Sequence, residues 1–147
     1  MNSPVIVSTA RTPIGRAFKG SLTEVRPDDL LAYILKEAVE KTNGLDIGMI
    51  DDIIVGCGLP GGEQGFNIAR VAAVPNGWND TSANTVNRYR ASSVQAMAVA
   101  AGHVAAGVGR QHDGPRAQHQ VDAVELAVAG HVDHRGHPLA PRRHAIA

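Results

Sequence analysis

Ala83-Asn-Thr-Val-Asn-Arg-Tyr-Arg-Ala-Ser-Ser93 joins a short β-leaning segment to the alanine-rich run that ends at Gly107. Ala83 to Tyr89 reads as a strand, and Ala91 to Gly107 as a helix with few large side chains, the composition of a helix buried on several sides. Upstream, Ile50 to Cys57 is a β-branched segment with Asp51 and Asp52 at its mouth. A glycine-rich loop, Gly58 to Gly65, and a short helix around Asn67 to Val74 connect it to the junction. Before it, Leu30, Leu31, Ile34, Leu35, Ala38 and Val39 recur with helical spacing, behind Pro27-Asp28-Asp29 and ahead of Gly44. Val5-Ile6-Val7, closed by Thr12-Pro13-Ile14-Gly15, reads as a first strand. The β-α-β-α-β-α order predicts an α/β fold with a mostly parallel sheet.

The chain has 147 residues, enough for one core, and its 14 Lys and Arg balance 14 Asp and Glu. That neutrality removes the electrostatic reason to expect nucleic acid or an anionic membrane as a partner. No apolar run approaches the roughly 20 residues needed to span a bilayer, and no secretory leader opens the sequence. One cysteine, Cys57, cannot form an internal disulfide, which suits a cytoplasmic location.

The composition divides the chain into residues 1–109 and 110–147. The latter 38 residues lack Lys, Ser, Thr, Asn, Cys, Met, Phe, Trp and Tyr, yet hold six of the seven His. Only Val121 to Val132 is apolar enough for an element, and it fits strand and helix equally. Every residue from Ala98 to Ala145 can be encoded by a codon beginning with G or C. We read residues 110–147 as an irregular or disordered tail made by frameshifted translation, with the break between about Val104 and Arg110, the alternative being a naturally Ala-, Arg- and His-biased disordered tail.

Val5 to Arg16, Gly20-Ser21-Leu22, Ile53 to Gly58, Gln64-Gly65-Phe66-Asn67-Ile68-Ala69-Arg70 and Thr85 to Ser93 together resemble the amino-terminal part of the thiolase family. The resemblance implies an incomplete thiolase-type layered domain, one half of a doubled α/β core. It implies acyl transfer on coenzyme A thioesters, which would be substrates, with no bound cofactor. Fatty-acid β-oxidation, sterol side-chain degradation and acetoacetyl-CoA synthesis are the settings it suggests. It also implies a thiolase-like homo- or hetero-oligomer.

The family's acyl-carrying cysteine stands in an Asn-Arg-x-Cys pattern; here the pattern reads Asn87-Arg88-Tyr89-Arg90. A thiolate at a strand-to-helix junction is favoured by the positive end of the helix dipole. Guanidinium is always protonated and cannot form an acyl thioester. The expectation is therefore a truncated thiolase, inactive as written. Its sheet would lack the strand that should follow the alanine-rich helix, leaving an open edge and poor solubility. A second reading is a non-catalytic module that docks on a full-length thiolase.

Other residues invite chemistry. Cys57, at the end of a strand, reads as a small core residue. Gly58 to Gly65 lacks the Lys-Ser or Lys-Thr of a phosphate loop, and the resemblance puts it near a subunit interface. Ser92 and Ser93 adjoin the reactive position without a His-Asp pair to activate them, His103 lying well along the helix, so capping is their expected role. His131, His134 and His137 recur every three residues with Asp133 between them, but Gly136 and Pro138 oppose the helix that would align them for a metal. Gly136-His137-Pro138 matches the family's histidine motif without its surrounding glycines, and we read it as chance.

Overall fold

The computed structural model describes residues 3–16, 18–108 and the backbone of 124–129. Among the described residues three α-helices and three strands alternate. Helix α1 is Pro27–Glu40, strand β1 Ile50–Gly56, helix α2 Ile68–Ala73, strand β2 Ser82–Val86, helix α3 Ser92–Ala106 and strand β3 Val124–Ala129. The strands form one parallel sheet in the order β2-β1-β3.

Helix α1 begins with Pro27 in its first turn beside Asp28 and Asp29, where proline loses no bond and acids meet the positive end of the dipole. Its predicted stripe is the buried one: Leu31, Ile34, Leu35 and Ala38 face inward. Strand β1 alternates between two cores. Ile53, Val55 and Cys57 pack with Leu31, Leu35, Ile68 and Ala72 on the α1–α2 side, while Ile54 packs with Ala96 and Ala100 of α3. Asn67 starts α2 by accepting from Arg70 N at 3.4 Å, and its amide donates to Ala83 O of β2 at 2.7 Å.

Two expectations about the ends of the sheet change. Val5, Ile6 and Val7 form no strand and are 77, 79 and 67% exposed. Only Ser8, Ala10 and Thr12 turn partly inward, with Ala10 reaching the α1–α2 core. The strand expected to be missing after α3 is present: β3 pairs with β1 from Ile50↔Val124 to Gly56↔Ala129. β1 therefore has neighbours on both sides, and no ladder position beside it is left for Val5–Val7. The α/β class stands, but the order begins with a helix and ends with a strand. The other positions of the tail, His131, Asp133, His134, Gly136, His137 and Pro138 among them, lie outside the described residues.

Candidate functional site

The junction between β2 and α3 is a tight turn seated on the end of β1. Tyr89 has φ 48°, a left-handed conformation unusual for an aromatic residue. Three bonds hold it. Asn87 Oδ1 accepts from Tyr89 N at 2.8 Å, closing an Asx turn. Ser92 Oγ accepts from Arg88 N at 2.9 Å and donates to Tyr89 O at 2.6 Å. Ser92 is only 3% exposed, so its hydroxyl is committed to these two bonds.

Beneath the turn, β1 ends in glycine because nothing larger fits. A Cβ on Gly56 would lie 2.5 Å from Ser93 N and 2.6 Å from Ser92 O, and one on Gly58 would lie 2.7 Å from Tyr89 O. Cys57, between them, donates its backbone N–H to Val86 O at 3.0 Å. The end of one strand and the start of a helix are thus pressed together by two glycines and tied by one buried serine.

Arg90 sits in the 3-10 turn Tyr89–Ala91 that leads into α3. Its side chain is exposed and has no hydrogen-bond or ion-pair partner among the described residues. The turn therefore presents residue 90 outward at a helix start, where a thiolate would be stabilised and where a guanidinium opposes the dipole. Arg88 donates to Gln95 Oε1 at 2.5 Å, directing its charge along the outer surface of α3.

The remaining candidates separate from this turn. Ser93 follows Ser92 in the first turn of α3, whereas His103 lies three turns along the helix, about 16 Å by its rise. No Ser-His relay spans that gap. Cys57 is 4% exposed in the α1–α2 core, its Sγ directed at Gln64 Oε1 at 3.7 Å. Burial pushes its thiol up, partly countered by a backbone hydrogen bond from Leu59, so it is a poor nucleophile at neutral pH. The Gly58–Gly65 loop turns Glu63 toward Arg26, which also pairs with Asp28; an anchored carboxylate is the opposite of a phosphate cradle. Among the described residues no three His, Cys, Asp or Glu converge as metal ligands. Sequence reasoning missed Gln64 as a buried polar group and Ser92 as a two-bond staple, because both roles depend on contacts across the fold.

The family described as "Thiolase, N-terminal domain" matches residues 4–110, a span that contains the whole β2–α3 turn. The chain belongs to the thiolase family. It is 50% identical over 102 residues to a 3-ketoacyl-CoA thiolase of Bacillus subtilis, covering 69% of this chain and 26% of that relative. It is 39% identical over 147 residues to a 3-ketoacyl-CoA thiolase of Photobacterium profundum, covering 99% of this chain and 34% of that one. The crystal structure of the Bacillus anthracis acetyl-CoA acetyltransferase superposes with a TM-score of 0.67 at 34% identity, over 74% of this chain and 27% of that chain. This thiolase-family chain thus spans between about a quarter and a third of the length of these relatives.

Proposed function

We propose that this chain is the amino-terminal part of a thiolase-type acyltransferase acting on coenzyme A thioesters, and that it is catalytically silent because Arg90 replaces the nucleophile. The observation that carries the reading is the β2–α3 turn. Gly56, Gly58 and Ser92 hold residue 90 outward at a helix start, the setting a thioester-forming thiolate requires. In that chemistry a thiolate attacks the 3-keto carbonyl of a 3-ketoacyl-CoA, the C2–C3 bond breaks, and acetyl-CoA leaves as an enolate that takes up a proton. The thiolate of coenzyme A then attacks the enzyme thioester, releasing acyl-CoA and regenerating the enzyme's thiolate. Arg90 has no lone pair with which to begin it. The names of the relatives favour 3-ketoacyl-CoA thiolysis, as in fatty-acid β-oxidation, and a cytoplasmic setting accords with the single buried thiol.

The test compares the full chain with its Arg90→Cys variant. With 3-ketoacyl-CoA and coenzyme A, the parent should give no acyl-CoA product above background; measurable thiolysis would end the claim of inactivity. Under limiting iodoacetamide at pH 7.5, peptide mass mapping should find the variant alkylated at position 90 at least tenfold faster than at Cys57. Equal or slower labelling would mean that the turn does not present a reactive group there.

Frameshifted translation of residues 110–147 is part of the same proposal. It is supported by the composition and by the family match ending at residue 110, and opposed by the alignment that covers 99% of the chain. Reading the gene in all frames beyond codon 104 decides it: in-frame thiolase residues in another frame support it, and none sink it.

A second reading, docking on a full-length thiolase, is favoured by α3. The helix carries no Asp, Glu, Lys or Arg, and Val94 and Met97 on its outer side are 63 and 45% exposed. Co-expression with an intact thiolase should then give a complex that survives gel filtration; separate elution would exclude it.

A further inference from the structure

A second polar site lies on the opposite face of the sheet from α3. A cavity of about 30 Å³ opens between α1, the end of β1 and the glycine-rich loop, with Pro27, Leu31, Val55, Cys57, Ile68 and Gln64 among its walls. Most of this lining is apolar, and Gln64 is the exception. Its side chain is 94% buried, being 6% exposed, and its Oε1 accepts from the Cys57 thiol at 3.7 Å. That contact orients the amide, because a thiol donor requires the oxygen end. Nε2 is then left inside with two N–H donors and no acceptor among the described residues.

A buried amide donor without an acceptor carries its full desolvation penalty, so such groups in folded proteins are almost always answered. A water needs roughly 10–15 Å³ of cavity and at least two polar neighbours. The space here admits one water, or two in contact, and little else. The second neighbour is Cys57 Sγ at the end of β1, a weak acceptor that lines the same cavity. An anion is the alternative acceptor, but Arg26, which precedes Pro27 in the chain, is already held by Asp28 and Glu63.

We infer that this cavity is a hydration site, holding an ordered water that accepts from Gln64 Nε2 and bridges the glycine-rich loop to the end of β1. The bridge matters beyond local packing. The same loop begins with Gly58, whose lack of a side chain leaves the room that Tyr89 O occupies in the turn presenting Arg90. The water thus helps to fix one side of the candidate site from across the sheet.

Two measurements on the full chain test this. In 15N-labelled protein, the Gln64 side-chain amide should show a cross-peak to water of the sign given by a bound, nanosecond-resident molecule. In urea unfolding, Gln64→Met, an apolar replacement of similar length, should lower the folded-to-unfolded ratio by roughly five- to tenfold, the loss of a satisfied hydrogen bond. A dry cavity predicts the reverse on both counts. The cross-peak would be missing, and Gln64→Met would raise the ratio by deleting an unanswered donor. Either of those results overturns the inference. The cross-peak is read on the parent chain, so it stands even if the variant fails to fold.

Discussion

The two faces of the sheet are built differently. On the α1–α2 face twelve buried residues form one core, including Leu31, Ile34, Leu35, Ile50, Ile53 and Ile68. On the α3 face the buried set among the described residues is Ile54, Ala96 and Ala100, with Val86 and Val99 partly buried against it. Large aliphatic side chains hold α1 and α2 in place, whereas α3 approaches closely through alanines and the missing side chain of Gly56. The first face therefore carries the larger core among the described residues. Among the described residues the second is a smaller contact, which brings the start of α3 within reach of β1 and leaves Val94 and Met97 on the outer side of the helix exposed; α3 also packs against β3. Among the described residues the larger aliphatic core lies on one side of the sheet and the candidate chemistry on the other.

Truncating the thick core should have the largest effect. Leu35 is fully buried at the centre of the α1 contact, so Leu35→Ala should cost about 2–5 kcal/mol, a large share of what a small domain possesses. Urea denaturation followed by circular dichroism should then show little or no folded baseline. On the thin face, Ile54 is also fully buried but meets mainly alanines, and Ile54→Ala should fall near 2 kcal/mol, the low end of that range. Equal losses at the two positions would break the contrast between the faces. A further arm concerns the outside of α3: Val94→Lys together with Met97→Lys should change stability by less than about 1 kcal/mol, two surface changes of about 0.5 each, while reducing self-association in sedimentation. A destabilisation as large as that of Ile54→Ala would show this side to be packed after all.

Arg70 offers an intermediate test on the thick side. Its guanidinium donates to Trp78 O at 2.8 Å, Thr81 O at 3.0 Å and Asn79 O at 2.7 Å, so one cation gathers three carbonyls of the loop entering β2. Hydrogen bonds to a charged group contribute about 1.5–3 kcal/mol, and Arg70→Met should lose an amount in that range. Faster backbone hydrogen exchange at residues 78–81, with α1 unaffected, would place the loss in the loop; uniform exchange through the fold would assign it to the core instead.

Much of the thick face was legible in the sequence. The helical spacing of Leu31, Ile34, Leu35 and Ala38, the Pro-Asp-Asp start and the β-branched run of β1 are local signals that packing then uses. Val5-Ile6-Val7 carries the strand signal without forming a strand, because β-branching describes fitness for a pleated surface and a strand also needs a neighbour. The place beside β1 belongs to Val124–Ala129, whose composition could not distinguish strand from helix. At the candidate site, position 90 and the glycines were visible as a pattern. The Ser92 staple and the buried Gln64 amide were not, since each is defined by which backbone atoms converge on it after folding.

The smallest predicted effect is a pH dependence that the thick face should show and the thin one should not. Burial in the α1–α2 core raises the Cys57 thiol above its ordinary value of 9.0. The folded chain therefore keeps this proton at a pH where the unfolded chain has released it. By linkage, stability is full below about pH 9 and declines as pH rises through and beyond that value. Tyr33 acts in the same direction, its phenol pushed up chiefly by the charge of Glu37, but it is exposed and contributes little. A Cys57→Ala variant isolates the thiol, since Tyr33 is common to both proteins. The stability difference between parent and variant, followed by urea unfolding, should narrow steadily from pH 8 to pH 10.5. A difference constant across that interval would mean that the thiol ionises as readily in the folded chain as in the unfolded one, and that the cavity beside Gln64 is open enough to solvate a thiolate.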